Sequence, residues 1–197
     1  GKNDYALSCS SGTSALNLAL QSLDFIENKD EIIVPDVTFG ATINSIINSR
    51  LKPVIVPVKK SDNLINLKDI DSYISNNTKG IILVNLYGQK YISSEIINIK
   101  KKYKLKVIED CAESLGTKFS NRMVSGVSDA YCYSFFANKI ITTGEGGMVI
   151  FKSKNTLKKA KIIRDHGMDL NKKYWHISIG NNFRLTNIQA AIGLGQL

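Results

Sequence analysis

Four stretches of this chain carry polar groups of the kinds that do chemistry. In YSFFANKIITTGEGGMVIF, residues 133–151, Lys139 lies between an apolar aromatic run and a glycine-rich turn. A lysine amine forms a Schiff base with an aldehyde once it is desolvated or crowded by cations, although a lone loop lysine is more often simply solvated. Ser134 precedes it, where the apolar run ends. In VIEDCAES, Asp110 closes another apolar run beside Glu109. A carboxylate there can bind a cation, accept from a hydroxyl, hold a protonated ring nitrogen, or merely cap the next helix. In SCSSGTSALNLAL, Ser11, Gly12 and Thr13 precede a helical pattern. The free N–H groups and positive dipole end of a helix start suit an anion, Gly12 permits a close backbone approach, and Thr13 or Ser14 adds a hydroxyl. Ordinary N-capping explains the same residues. In IGNNFRLTNIQAAIG, Asn182 and Arg184 stand before a helix with Thr186 near its start, which by itself reads as a capped helix with a surface arginine.

Each signal is weak alone. Together they list a phosphate cradle, an acid for a ring nitrogen and an amine for an aldehyde, which are the requirements of pyridoxal 5′-phosphate.

The elements that must position these groups alternate in type. Helical spacing runs through residues 15–23, 42–49, 67–74, 94–103 and 156–167, and another helix starts at 186. Short β-branched or apolar runs at 31–35, 53–58, 80–88, 106–110, 129–136 and 147–151 read as strands. Strands alternating with helices predict an α/β fold, a three-layer α/β/α arrangement with a mostly parallel sheet covered on both faces. In such sheets ligands collect at the carboxyl ends of the strands.

Composition bounds the function. The chain has 197 residues, 43% hydrophobic and 22% charged, which suits one globular domain with its own core. Its net charge of +9 comes from 26 Lys and Arg against 17 Asp and Glu, with the lysines scattered through KKYKLK, NTLKKAK and NKKY as solvated helix faces. A basic polyanion-binding module is the rival from another class, but no RNA-binding aromatic signature, zinc pattern or helix-turn-helix accompanies the charge. Neither nucleic acid nor a membrane is expected as a partner, and no metal site is expected. Three cysteines, Cys9, Cys111 and Cys132, form no C-x-x-C pair and read as packing residues of a cytoplasmic protein. No apolar run approaches the roughly 18 to 20 residues of a membrane span, and no signal peptide opens the chain. His166 and His176 read as structural.

The stretches SGTSALNLAL, EIIVPDVTFGATINSI, NLYGQ, VIEDCAESLGTKF, YSFFANKIITTGEGGMVIF, RDHGM and GNNFRLTNIQAAIGLGQL resemble, in order and over nearly the whole chain, the DegT/DnrJ/EryC1/StrS sugar aminotransferases. These are fold-type I pyridoxal-phosphate enzymes. The resemblance implies that residues 1–197 are the large cofactor-binding domain, with the family's N-terminal arm and smaller C-terminal domain lying outside it. It implies that Lys139 bonds the cofactor aldehyde and that Asp110 keeps the pyridine nitrogen protonated. Gly12, Thr13 and Ser134 would hold the phosphate, Phe39 would stack on the ring, and Glu113 would lie near its 3′ oxygen. Asn182 would reach the phosphate from a neighbouring subunit, making a homodimer with shared sites. One branch of the family carries histidine in place of this lysine and performs dehydration, so Lys139 favours transamination. The blocks resemble most the perosamine synthase branch, which implies an amino-acid donor, glutamate, and GDP-4-keto-6-deoxymannose as acceptor, in O-antigen assembly. Another nucleotide-linked keto sugar, carried on UDP or dTDP, is the alternative. A cofactor-binding regulator of the same fold is a further one.

Overall fold

The computed structural model describes residues 4–119, 122–123 and 127–197. Among the described residues, nine strands and five α-helices follow in the order β1 (Tyr5–Cys9), α1 (Gly12–Ser22), β2 (Glu31–Pro35), α2 (Gly40–Asn48), β3 (Lys52–Val56), β4 (Thr78–Val84), α3 (Ser93–Tyr103), β5 (Lys106–Asp110), β6 (Lys118–Phe119), β7 (Arg122–Met123), β8 (Ala130–Ser134), β9 (Gly147–Phe151), α4 (Lys154–Arg164) and α5 (Asn187–Leu194). Seven strands form one sheet in the order β1-β9-β8-β5-β4-β2-β3, and β6 and β7 pair separately. Only β9 runs against its neighbours in the large sheet. The sheet is therefore mostly parallel, as the alternation of elements predicts.

Successive residues of the central strands serve opposite faces. Ile32 and Val34 of β2, Ile82 and Val84 of β4 and Ile108 of β5 join the core under α1, α2 and α4. Ile33, Ile81, Leu83 and Val107 join a second core with Ile96 and Ile99 of α3. A strand buried on both sides has no polar face, which is why these runs show no alternation in sequence. The two cores make the three layers expected.

The boundaries depart from the sequence reading in informative places. Residues 67–74 form only a 3-10 turn at Ile70–Tyr73. The Ser72 hydroxyl bonds the Asp69 carbonyl, and the Asn66 side chain bonds the Lys68 N–H and the Asp69 carboxylate, so local side-chain bonds displace the helical ladder. The run 80–88 is strand only to Val84; the Asn85 N–H makes the last ladder bond, to the Asp110 carbonyl at 3.0 Å, and Tyr87 then takes a positive φ of 52°. The strand β1 carries a weak period-2 signal, with Leu7 and Cys9 buried, and the sequence reading did not include it. Among the described residues no helix is long and apolar enough to cross a membrane.

The start of α1 is wedged between two strands. Ser11 caps the helix, accepting from the Ser14 N–H at 3.0 Å, while the Ser14 hydroxyl accepts from the Ser11 N–H at 2.8 Å. A Cβ on Gly147, the first residue of β9, would lie 2.3 Å from the Ser11 carbonyl oxygen. A Cβ on Gly12 would lie 2.8 Å from the Ser134 Cβ. Both glycines are thus needed to seat the helix start against the ends of β8 and β9. Gly147→Ala is expected to destabilise the protein by about 1–3 kcal/mol in urea denaturation, because backbone must shift. Gly40→Ala is the contrast: the nearest atom to its Cβ is 3.9 Å away, and a gain of up to about 1 kcal/mol is expected. Equal effects at the two positions would contradict the wedge.

Candidate active site

Strands β1, β2, β4, β5 and β8 run in one direction, so their carboxyl ends and the loops that follow share one edge of the sheet. A cavity of about 400 Å³ opens there. It is lined by Gly12 and Thr13 at the start of α1, Phe39 before α2, Asp110 ending β5, Glu113 after it, Ser134 ending β8, and Lys139 on the loop between β8 and β9. Seven of the residues singled out in sequence therefore meet, although they come from four separate segments of the chain. Asn182 does not line the cavity; it is exposed and bridges to Asp165. Arg184 is ion-paired with Asp165 and is also outside.

Asp110 and Glu109 are neighbours with opposite surroundings. The strand's period of two sends them to different faces of the sheet. The Glu109 side chain has no exposed surface and accepts from Ser128 Oγ at 2.6 Å and Asn85 Nδ2 at 2.9 Å, with Lys90 Nζ at 3.5 Å. It belongs to a buried structural network. Asp110 borders the cavity instead, accepting from the Thr42 hydroxyl at 2.9 Å and the Ala112 N–H at 3.1 Å. Both donors are neutral. Burial raises its carboxyl above the ordinary carboxylate value, and these two bonds and the Lys139 ammonium only partly oppose that.

Lys139 reaches the cavity from a pinned loop. Phe135 and Gly146 close its base through an N–H to carbonyl bond of 2.8 Å, and the Thr143 N–H bonds the Phe135 carbonyl at 2.9 Å. Gln196 grips the Thr142 backbone from outside, accepting from its N–H at 3.0 Å and donating to its carbonyl at 2.6 Å. The Lys139 ammonium lies 3.9 Å from Glu113, whose other oxygen accepts from the Tyr87 N–H at 2.9 Å. Glu113 thereby ties the lysine to the turn after β4. Phe39 is 80% exposed, an aromatic face presented at the cavity rather than packed in the core.

Several residues at the site escaped the sequence reading. Thr38, Asn85, Phe136, Asn138 and Glu145 line the cavity, and Thr42 holds Asp110 from behind. The available signal was in α2, where the buried positions Thr42, Ser45 and Ile46 put two polar residues on the core-facing side of a short helix. Asn85 is 1% exposed, and its Oδ1 has no hydrogen-bond donor among the described residues. The three cysteines are buried and free; burial pushes Cys9 up to about 11 and Cys111 up to about 12, so neither is a ready nucleophile.

The sequence profile of the DegT/DnrJ/EryC1/StrS aminotransferase family matches residues 1–197. A GDP-perosamine synthase of Escherichia coli O157:H7 is 42% identical over 193 residues, covering 98% of this chain and 53% of that protein. A UDP-4-amino-4,6-dideoxy-N-acetyl-beta-L-altrosamine transaminase of Helicobacter pylori is 36% identical over 197 residues, covering 98% of this chain and 52% of that protein. The crystal structure of NtdA from Bacillus subtilis with bound cofactor PMP superposes with a TM-score of 0.90 at 32% identity, covering 98% of this chain and 43% of that one. The chain belongs to the DegT/DnrJ/EryC1/StrS aminotransferase family, and it spans about half the length of the curated relatives it matches.

The raised carboxyl of Asp110 has a consequence for stability. Between its unfolded and folded values the folded chain keeps a proton that the unfolded chain has released, so stability from this group falls as pH rises through that window. Asp110→Asn, without cofactor, is expected to match the parent below the window and to melt higher above it. Calorimetric Tm values across acid to neutral pH check this; parallel curves would contradict it.

Proposed function

We propose that this member of the DegT/DnrJ/EryC1/StrS family is the cofactor-binding domain of a pyridoxal-phosphate-dependent aminotransferase that delivers an amino group to a nucleotide-linked 4-keto-6-deoxy sugar. The observation that carries the reading is the meeting of a helix start, a buried carboxylate and a lysine in one cavity. The residues fit the cofactor on their own chemistry. A buried carboxylate held by two neutral donors attracts a cationic ring nitrogen. The N–H groups at the start of α1, with the Thr13 and Ser134 hydroxyls, suit a phosphate. Phe39 offers an apolar face for the ring.

Pyridoxal phosphate, when bound, supplies an aldehyde and an electron-withdrawing ring. The remaining work belongs to the protein. Asp110 would hold the ring nitrogen protonated, which lets the ring draw electron density from the donor. The Lys139 amine would hold the group through its aldehyde and, once released by the amino donor, would serve as the base and acid that carries the donor's Cα proton. Glu113, 3.9 Å from that amine, restrains its position. The pinned 135–146 loop fixes the approach of the lysine, and the helix start fixes the phosphate, which is the orientational part of the rate.

Glutamate is proposed as donor and GDP-4-keto-6-deoxymannose as acceptor, on the strength of the 42% identity to a GDP-perosamine synthase. The 36% identity to a UDP-sugar transaminase makes a UDP-linked keto sugar the second reading. Asn182, exposed and outside this cavity, is assigned to the phosphate site of a neighbouring copy in a homodimer.

The purified protein with pyridoxal phosphate is expected to show a visible absorption band that glutamate bleaches. Lys139→Ala is expected to lose or alter that band and to transaminate at least about 10²-fold more slowly. The bleached form, given GDP- and UDP-linked keto sugars in turn, recovers the band with the true acceptor. No band in the parent protein would overturn the reading.

A further inference from the structure

The carboxylate at the cavity floor has a second layer of support that comes from α2. Thr42 has no exposed surface, and its hydroxyl lies 2.9 Å from Asp110 Oδ2. Its other close partner is the Thr38 hydroxyl, one turn earlier, at 2.8 Å. A hydroxyl has one proton to give. A charged carboxylate oxygen is the stronger acceptor, so the Thr42 proton goes to Asp110 and Thr42 in turn accepts from Thr38. The second oxygen, Oδ1, is held by the Ala112 N–H at 3.1 Å. The carboxyl plane is thus held at both oxygens, and both donors favour its charged form. Thr38 itself borders the cavity, so the chain of hydroxyls runs from the cavity wall to the buried acid.

We propose that Thr42, backed by Thr38, is a positioning residue that keeps the Asp110 carboxylate ionised and fixed in orientation to receive a cationic ring nitrogen. The inference rests on the function proposed above for the purpose of the charge, but not for the hydroxyl's effect on it. Burial works against the ionised state, and the Thr42 bond is one of the two hydrogen bonds that oppose it. Lys139 also favours the charge and Glu113 disfavours it. The thiols of Cys111 and Cys132 are also within electrostatic reach of this carboxylate, but burial raises both, so they stay neutral where the acid titrates. Replacing Thr42 by valine keeps the shape and deletes the donor. The folded-state carboxyl must then rise further, and the neutral acid cannot hold a ring proton.

The test follows the acid itself. In protein labelled with ¹³C at aspartate carboxyls, the Asp110 signal is assigned by its loss in Asp110→Asn and titrated without cofactor. Thr42→Val is expected to move the Asp110 midpoint up, Thr42→Ser to return it towards the parent value, and Thr38→Val to move it the same way by less. Should Thr42→Val fail to fold, Thr38→Val and Thr42→Ser still carry the comparison. With cofactor bound, Thr42→Val is expected to slow the reaction with glutamate about tenfold at neutral pH, and Thr42→Ser to restore it. An Asp110 midpoint that is the same in Thr38→Val, and in Thr42→Val where it folds, as in the parent overturns the proposal even if the rate falls. Absence of cofactor binding in the parent protein would instead overturn the proposed function, while the titration would still decide what Thr42 does.

Discussion

A carboxylate taken out of water is costly unless its surroundings replace the lost solvation. Much of this molecule's active edge is arranged around one such group. Asp110 ends β5 in the middle of the sheet, where strands on both sides exclude solvent. Two neutral donors hold it, and the Lys139 ammonium adds a weaker attraction across the cavity. This leaves the acid favouring a cation it does not itself contain. The rest of the cavity frames this carboxylate with a lysine, the Thr13 and Ser134 hydroxyls and a helix start.

That frame depends on one exception to the parallel sheet. Were β8 followed by a crossover helix, Lys139 would be carried away over one face. Instead the chain reverses into β9, and the loop that turns it stays at the carboxyl edge with the lysine on it. The same reversal brings Gly147 beside Ser134 and under the start of α1. The absence of two side chains, at Gly12 and Gly147, lets the helix start press into the strand ends. The start of α1, the Ser134 hydroxyl and the lysine loop are consequently coupled through a few close backbone contacts.

Adjacent residues can be close in sequence and far apart in role. Glu109 and Asp110 are chemically alike, yet the pleat of β5 gives one to a buried network with Lys90, Asn85 and Ser128 and the other to the cavity. Asn85 sits between the two worlds, its amide nitrogen bound to Glu109 and its oxygen unpaired among the described residues, near the cavity wall. The polar residues of α2 make the same point, since a helix that buries Thr42 and Ser45 has packed its hydroxyls where apolar groups would serve packing alone.

The layered fold was legible because its signals are local. Unbroken apolar runs such as EIIVP and KVIED announce strands buried on both faces, and the Ser11 and Thr186 caps announce helix starts. Lys139, Asp110 and Gly12 were legible as candidates for a similar reason, each standing where an element ends or begins. What residues 67–74 would do was not legible, because side chains of Asn66 and Ser72 competed with a helical pattern that looked adequate on paper. Nor was the part played by Thr42, whose meaning lies in an oxygen 68 residues away. The sequence by itself determined most of the elements and which side chains stand at their ends, because periodicity, capping and turn chemistry act over a few neighbouring residues. Only the tertiary structure decided which of those ends meet, because strand order and the direction of β9 are set by how the layers pack, and no local pattern carries that information.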